Sequence, residues 1–367
     1  MKKYLFILIM AFVPSLLMAQ AAGGNIKRPS NSKKPLNRSS VGTPQRPTYV
    51  LTSIDDFQNG YACVEINNKW GAIDKTGHIV IPCKYDFLRP FSEGLAAVEI
   101  NGKYGYIDTK NNIVVPCIYD FAIDFSEGLA RVTRNDKRGF IDKTGREVIP
   151  CRYRDAYSFH EGLAGAYFDD FKRGFIDKTG NEVIPFKYSY RWLQGRYLNL
   201  LFCEGLASIQ LNGKYGFIDK KGKEVISCKY EYTDSFSEGL AAVKLNGKWG
   251  YVDTTGKEVI SCKYDNVESF SEGLAPVSLN GKWGFINKLG QEVIPFKYER
   301  AFSFSEGMAS ICLNNKYGII DKTGRLLIPC RYEFVGSFNE GFARVLFSYN
   351  SWGFIDKNGK HLQLKGK

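Results

Sequence analysis

A doublet of Trp, Tyr or Arg followed by Gly recurs nine times along this chain, and its spacing constrains the fold more than any other feature. The doublets are Trp70-Gly71, Tyr104-Gly105, Arg138-Gly139, Arg173-Gly174, Tyr215-Gly216, Trp249-Gly250, Trp283-Gly284, Tyr317-Gly318 and Trp352-Gly353. Successive glycines lie 34, 34, 35, 42, 34, 34, 34 and 35 residues apart. A period of that size is the mark of one supersecondary unit copied along an array. Residues present in every copy are needed by every copy, so they report first on folding.

Residues 238–271 are a well-formed unit. The run Glu-Gly-Leu-Ala-Ala-Val-Lys-Leu is followed by Asn-Gly and then by Lys-Trp-Gly-Tyr-Val-Asp. Thr-Thr-Gly, Lys-Glu-Val-Ile-Ser-Cys-Lys-Tyr and a connector ending in Phe-Ser complete it. The pattern predicts three strands joined by two tight turns. Asn246-Gly247 between alternating runs signals a two-residue hairpin, because both residues tolerate positive φ. Asp253 suits the first position of a type I turn, and Gly256 the left-handed position that ends it. Asn111 stands for that Gly once, as the next best residue there.

Two further columns carry expectations. The position of Ala241 is Ala in all nine units. Val or Leu would bury more surface, so the column implies a close approach that leaves room for one methyl. Ala242, one residue on, falls on the opposite face of the strand and is expected to tolerate a larger side chain. The doublet Gly inside a strand implies a bulge or a group packed on the backbone, with the adjacent Trp or Tyr as a candidate cover. A unit of about 34 residues builds no core of its own and must stack on its neighbours. The fold class is therefore all-β: a repeat array, read as an open superhelical solenoid of three-stranded units. A closed propeller-like ring is the alternative. Residues 47–57 and 360–364 resemble degraded pieces of a unit and are read as caps, although the piece before the first unit also suits closure.

The recurring Lys-Trp-Gly-Phe-Ile-Asp and Glu-Gly-Leu-Ala elements resemble the WG-repeat proteins, also called KWG repeats. Lys-Trp/Tyr-Gly, Ile-Asp-Lys-x-Gly, Val-Ile-Pro and Phe-Ser-Glu-Gly recur in order and in register over residues 49–367. The resemblance implies an exported bacterial interaction scaffold and no catalytic residue. Arg138 and Arg173 depart from the aromatic doublet, and looser packing is expected there.

Composition places the array. Lys2 and Lys3 precede an apolar run over residues 4–18, and Ala19-Gln20-Ala21 follows. That is the form of a secretory signal peptide over residues 1–20. About 15 apolar residues fall short of the roughly 20 needed to span a bilayer. Residues 21–48 form a basic, Pro- and Ser-rich linker unable to bury enough surface to order itself. Two positive charges of the formal +12 belong to the leader and six to the linker, which leaves +4 for residues 49–367. A nucleic-acid partner has little support from that value. The expected location is outside the cytoplasm: periplasmic, outer-membrane-associated or extracellular.

No residue pattern asks for a cofactor or metal. His78, His160 and His361 fall in three different registers. Eight units carry Glu before the same Gly: Glu93, Glu127, Glu161, Glu204, Glu238, Glu272, Glu306 and Glu340. A glycan hydrolase needs a carboxylate pair at a set separation, and these acids supply the alternative reading of a glycan-active enzyme. Their repetition favours backbone hydrogen bonding at a turn. The aromatic stripe of Trp70, Tyr104, Tyr215, Trp249, Trp283, Tyr317 and Trp352 is read as core, with sugar stacking as its rival. The least repetitive segment separates Tyr188 from Phe202. It contains Tyr190, Arg191, Trp192, Arg196 and Tyr197, the residue types that dominate binding hot spots. These five are the candidate binding residues of a non-enzymatic scaffold for protein or cell-envelope glycan partners.

Nine cysteines in an exported chain invite a disulfide framework. Cys83, Cys117, Cys151, Cys228, Cys262 and Cys330 share one register, which Phe186 and Phe296 fill in two other units. A slot that accepts Cys or Phe is an apolar slot, where a free thiol packs as a small hydrophobe. Thiol titration of the mature protein under denaturing conditions should therefore detect most of the nine. One reactive thiol or none would mean a disulfide framework.

Overall fold

Strand pairing begins where the turn chemistry puts it. In a computed structural model, described for residues 51–168, 172–188, 201–348 and 351–365, Asn246 and Gly247 take φ of 51° and 75°. The strands Leu240–Leu245 and Lys248–Asp253 pair antiparallel across them. At the second turn Asp253 Oδ1 accepts the N–H groups of Thr255 and Lys257 at 2.9 and 3.0 Å. Gly256 closes that turn with φ of 86°, and Glu258–Tyr264 returns alongside.

The unit has one strand more than its pattern predicts. The connector supplies a two-residue strand, Tyr232–Thr233, paired with Lys244 and Val243. Two residues carry too little alternation to register as a strand in sequence. Among the described residues the chain forms nine sheets, eight of four strands and the last of three. Numbered along the chain, blades 1 to 9 begin at residues 53, 87, 121, 155, 202, 232, 266, 300 and 334. Blade 9 is completed at its edge by residues 361–364, where the Leu362 N–H donates to the Phe354 carbonyl at 3.0 Å.

Both faces of each blade are buried. Ala241 and Val243 lie in a cluster with Leu206, Phe217 and Ile226 of blade 5. Leu240, Ala242, Tyr251 and Ile260 cluster with Val267, Phe270, Ala275 and Val277 of blade 7. The expectation of a tolerant Ala242 is thus overturned: it is 2% exposed, against 0% for Ala241. Alternation sends neighbouring residues to opposite faces, but here each face meets another blade. A connector Phe crosses each seam. Phe270 packs on Tyr251 of the preceding blade at 4.8 Å between centroids, edge to face, a favoured aromatic geometry.

The doublet glycine is explained by the strand beside it. Trp249 and Tyr251 pair with Tyr264 and Ile260, so one residue on the inner strand faces three on its partner. That bulge brings the Ile260 carbonyl and the Cys262 amide over Gly250. A Cβ there would lie 2.7 Å from Cys262 N and closer still to Ile260 O. The cover is backbone rather than the adjacent aromatic ring.

The array closes into a ring, and the open solenoid is not what forms. Blade 9 meets blade 1. Leu51, Ile54, Phe57, Val64 and Ile73 share one cluster with Phe354, flanked by Phe342, Trp352, Leu362 and Leu364. The Trp352 N–H donates to the Leu51 carbonyl at 3.2 Å, and the Lys365 N–H to Gly77 at 2.8 Å. Leu51, Ile54 and Phe57 of one segment read as a cap, and Leu362 and Leu364 of the other, share that cluster. Closure buries the two apolar faces that an open array leaves at its ends.

Leu at position 241 or at position 242 should each destabilise by roughly 1–3 kcal/mol through overpacking. Gly250→Ala should lie at the upper end of that range, because backbone moves less readily than side chains. Urea unfolding of the three variants tests this. Wild-type stability for Ala242→Leu would contradict the two-sided packing.

Candidate functional site

The predicted binding residues Tyr190, Arg191, Trp192, Arg196 and Tyr197 lie outside the described residues. The other candidates have clear places. Each repeated Glu sits in a two-residue hairpin at positive φ: Glu238 at 56° and Gly239 at 86°. Its carboxylate reaches into the next blade. Glu238 accepts the N–H groups of Glu272 and Gly273 at 2.7 and 3.0 Å, and Lys288 lies 3.2 Å away. Glu93, Glu127, Glu161, Glu204, Glu272 and Glu306 each accept the corresponding glycine N–H of the following blade. Glu340 closes the circle with Gly60 at 2.9 Å and Lys75 at 2.9 Å. These acids are clasps between blades.

The aromatic stripe divides. Trp70, Tyr215 and Trp249 are buried, whereas Tyr104, Trp283, Tyr317 and Trp352 are half-buried. Doublet aromatics pack on rings of the next blade's short strand: Trp70 on Phe87 at 5.2 Å, Tyr104 on Phe121 at 5.1 Å, and Tyr317 on Phe334 at 5.5 Å. The histidines separate. His78 belongs to the Asp74 turn, His160 bonds the Phe202 carbonyl, and His361 stacks on Phe347 at 4.9 Å.

The seam between blades 3 and 4 breaks this rule. Arg138 replaces the doublet aromatic and Asp155 replaces the ring it would meet, with Arg138 Nε 3.5 Å from Asp155 Oδ1. Arg131, where blades 2 and 6 have Ala97 and Ala242, donates to Asp155 Oδ1 at 2.8 Å and to the Ala156 carbonyl at 2.7 Å. Asp155 Oδ2 accepts the Tyr167 hydroxyl at 3.2 Å. Arg173 lies over the Tyr167 ring at 4.6 Å and donates to the Tyr157 hydroxyl at 3.0 Å. The looser packing expected at Arg173 is not found, since that residue is 6% exposed. Guanidinium stacking and hydrogen bonds fill the space a ring would take.

Burial governs the electrostatics. It pushes the Tyr167 hydroxyl up to about 12, with the Asp155 charge adding to it. It also holds Arg131 below its ordinary value, against the pull of Asp155 and helped by Arg138. Arg131 Nε is buried without a hydrogen-bond partner. The arrangement sets two guanidinium groups against one carboxylate.

The family model for the WG-containing repeat matches nine times, at residues 50–70, 70–104, 104–137, 139–170, 174–190, 215–249, 249–283, 283–317 and 317–347. The chain belongs to the WG-containing repeat family. No curated protein matches it. Among solved structures, a eukaryotic initiation factor shares 13% identity over 74% of this chain and 84% of its own, with a TM-score of 0.53. BamB from Moraxella catarrhalis shares 10% identity over 84% and 95% of the two chains, with a TM-score of 0.42. The computationally designed Ika8 protein shares 13% over 73% and 94%, with a TM-score of 0.45. At such identities the likeness concerns fold alone.

Within this WG-repeat ring, Arg138 and Arg173 were legible as departures from the doublet. Arg131, Asp155 and Tyr167 lie outside that doublet. Their own columns vary: Phe87, Phe121, Asn266 and Arg300 stand where Asp155 does, and Ala97 and Arg344 where Arg131 does.

The carboxylates give two opposite pH dependences. Burial works against ionised Glu340, but Lys75 and the Gly60 N–H hold it below its ordinary 4.5. The Thr255 hydroxyl, with backbone N–H groups, holds Asp253 below 3.8. Their stabilisation is complete above those ordinary values and is lost as pH falls through the folded ones. Asp55, at the closing seam, is pushed up to about 6 from 3.8 by burial and by Asp56 and Asp124, against Arg344 and Arg89. That group makes the ring less stable as pH rises from 3.8 to about 6. Asp55→Asn should therefore raise stability more at about pH 7 than at about pH 4.5. Denaturant unfolding at both pH values measures it, and an equal change at both would refute the assignment.

Proposed function

We propose that this ring is an exported, non-enzymatic binding scaffold whose partner is a protein or a cell-envelope glycan. One observation carries the reading. The repeated acids and most doublet aromatics are occupied in joining blades, whereas the two departures from the aromatic doublet and the one long insertion fall together in the chain. Arg131, Arg138, Asp155 and Arg173 fall in blades 3 and 4, and the insertion with Trp192 and Arg196 falls between blades 4 and 5. A symmetric ring presents similar surfaces many times, so a specific partner needs the place where symmetry is broken. Export rests on the leader over residues 1–20, with a periplasmic, outer-membrane-associated or extracellular destination. A glycan hydrolase using the repeat-borne carboxylates gains no support, because each reaches across to the next blade's backbone.

Affinity capture from envelope extracts tests the proposal, with captured material typed as protein or polysaccharide. Trp192→Ala combined with Arg196→Ala should weaken capture at least tenfold, about 1.4 kcal/mol, without moving the melting temperature. Glu238→Gln should leave capture intact. Unchanged capture with a lowered melting temperature in the first variant would show that the insertion only packs on the array. Turnover of a glycan that disappears with one Glu would establish the enzyme.

A further inference from the structure

We infer that the seam between blades 3 and 4 is a recognition subsite for an acidic sugar, with Arg138 receiving the sugar's carboxylate and Phe121 stacking on its ring. The inference rests on the binding-scaffold reading and names the ligand chemistry for it.

Charge is the first argument. Arg131 and Arg138 converge on one carboxylate, and that carboxylate is already engaged. Asp155 Oδ1 accepts Arg131 at 2.8 Å and the Ala156 N–H at 2.9 Å, and Oδ2 accepts Tyr167. Arg138 reaches Asp155 only at 3.5 Å and donates to the Asp136 carbonyl at 2.9 Å. Its side chain is 32% exposed, against 18% for Arg131. A guanidinium fork at the surface, over a seam with more cation than anion, suits a planar carboxylate bound through two parallel hydrogen bonds.

The second argument is the row in which Arg138 stands. Phe121, Thr133 and Arg138 are cross-strand partners in blade 3. Phe121 is 37% exposed and is backed by Tyr104 at 5.1 Å. Two strand spacings of about 4.8 Å separate the backbones of Phe121 and Arg138, with the buried Thr133 between them, a span that one or two pyranose residues cover. In blade 2 the same row ends in Tyr104 instead of Arg138, and its Phe87 is half-buried. An exposed ring and an exposed guanidinium share one row here. Asp155 and Tyr167 hold the other side of the seam rigid and reject a second carboxylate placed against Asp155.

The test titrates the full mature protein by calorimetry with trigalacturonate, maltotriose, glucose 6-phosphate and inorganic phosphate. Trigalacturonate should bind and maltotriose should not. Arg131→Ala, Arg138→Trp and Asp155→Phe together install the ring pair that Trp70 and Phe87 form and leave no unpaired guanidinium in the seam. The triple variant should lower trigalacturonate affinity at least about tenfold while the melting temperature holds or rises. Phe121→Ala should weaken trigalacturonate and leave inorganic phosphate unchanged. Three results overturn the inference: no binding of trigalacturonate, equal binding of maltotriose, or full binding by the triple variant. Tighter binding of either phosphate than of trigalacturonate overturns the choice of carboxylate. Capture of an envelope partner without trigalacturonate binding would sink this inference and leave the scaffold standing.

Discussion

Apolar burial between successive blades is the constraint on which the rest of the molecule depends. A sheet of about 34 residues has two faces and too few side chains to cover either. Every cluster of buried residues therefore draws on two adjacent blades. Residues facing a seam must fit both sheets at once, so small residues recur in columns. Ala241 is fixed by the blade before it, and Ala242 is buried by the blade after. The doublet Gly is fixed from within its own sheet, by the bulge that lays Ile260 and Cys262 over Gly250. The same requirement selects a ring, because an open stack of such blades ends in two exposed apolar faces.

Polar groups set the register of this stack. Left-handed backbone is unfavourable for Glu, costing of order 1–3 kcal/mol at such positions. The chain nevertheless places eight Glu residues there. Each is over-determined by its neighbour, through backbone N–H groups and in most blades a Lys from the next turn. The clasp ties the start of one hairpin to the start of the next, so blade spacing is copied around the circle. In blade 1 the Glu position is Asn59, a residue that takes positive φ more readily, and it bonds the Phe91 carbonyl instead. A carboxylate that appears in eight of nine units invites a catalytic reading, yet its recurrence follows from a structural task that recurs.

Function in such a molecule has to come from departures. A strict nine-fold ring has no preferred direction on its surface. The departures here are coordinated: Arg138, Arg131 and Asp155 change together across one seam, and an ion-pair and hydrogen-bond network stands where two rings would pack. One charged residue alone in that seam would be buried without compensation. That coupling explains why single columns understated the site. Arg138 and Arg173 were conspicuous because the doublet is the strongest signal, whereas Arg131 and Asp155 sit in columns that already vary. Their meaning appears only when the blades are brought face to face.

The turns, strands and repeat length were determined by the sequence itself. Asn-Gly, Asp-x-x-Gly and period-two alternation act within a few residues, and local sterics decide them without reference to the rest of the chain. The family, the apolar cysteine slot and the need for stacking were equally plain, because they recur in register. Closure was decided only in three dimensions. It depends on the small rotation between consecutive blades, accumulated nine times until Leu51 meets Trp352, and no single unit encodes that sum. The two-sided burial of Ala242, the reach of each Glu into the next blade and the gathering of Arg131, Arg138 and Asp155 have the same origin. They are contacts between units, and a sequence read one unit at a time carries the residues without saying which neighbour they will face.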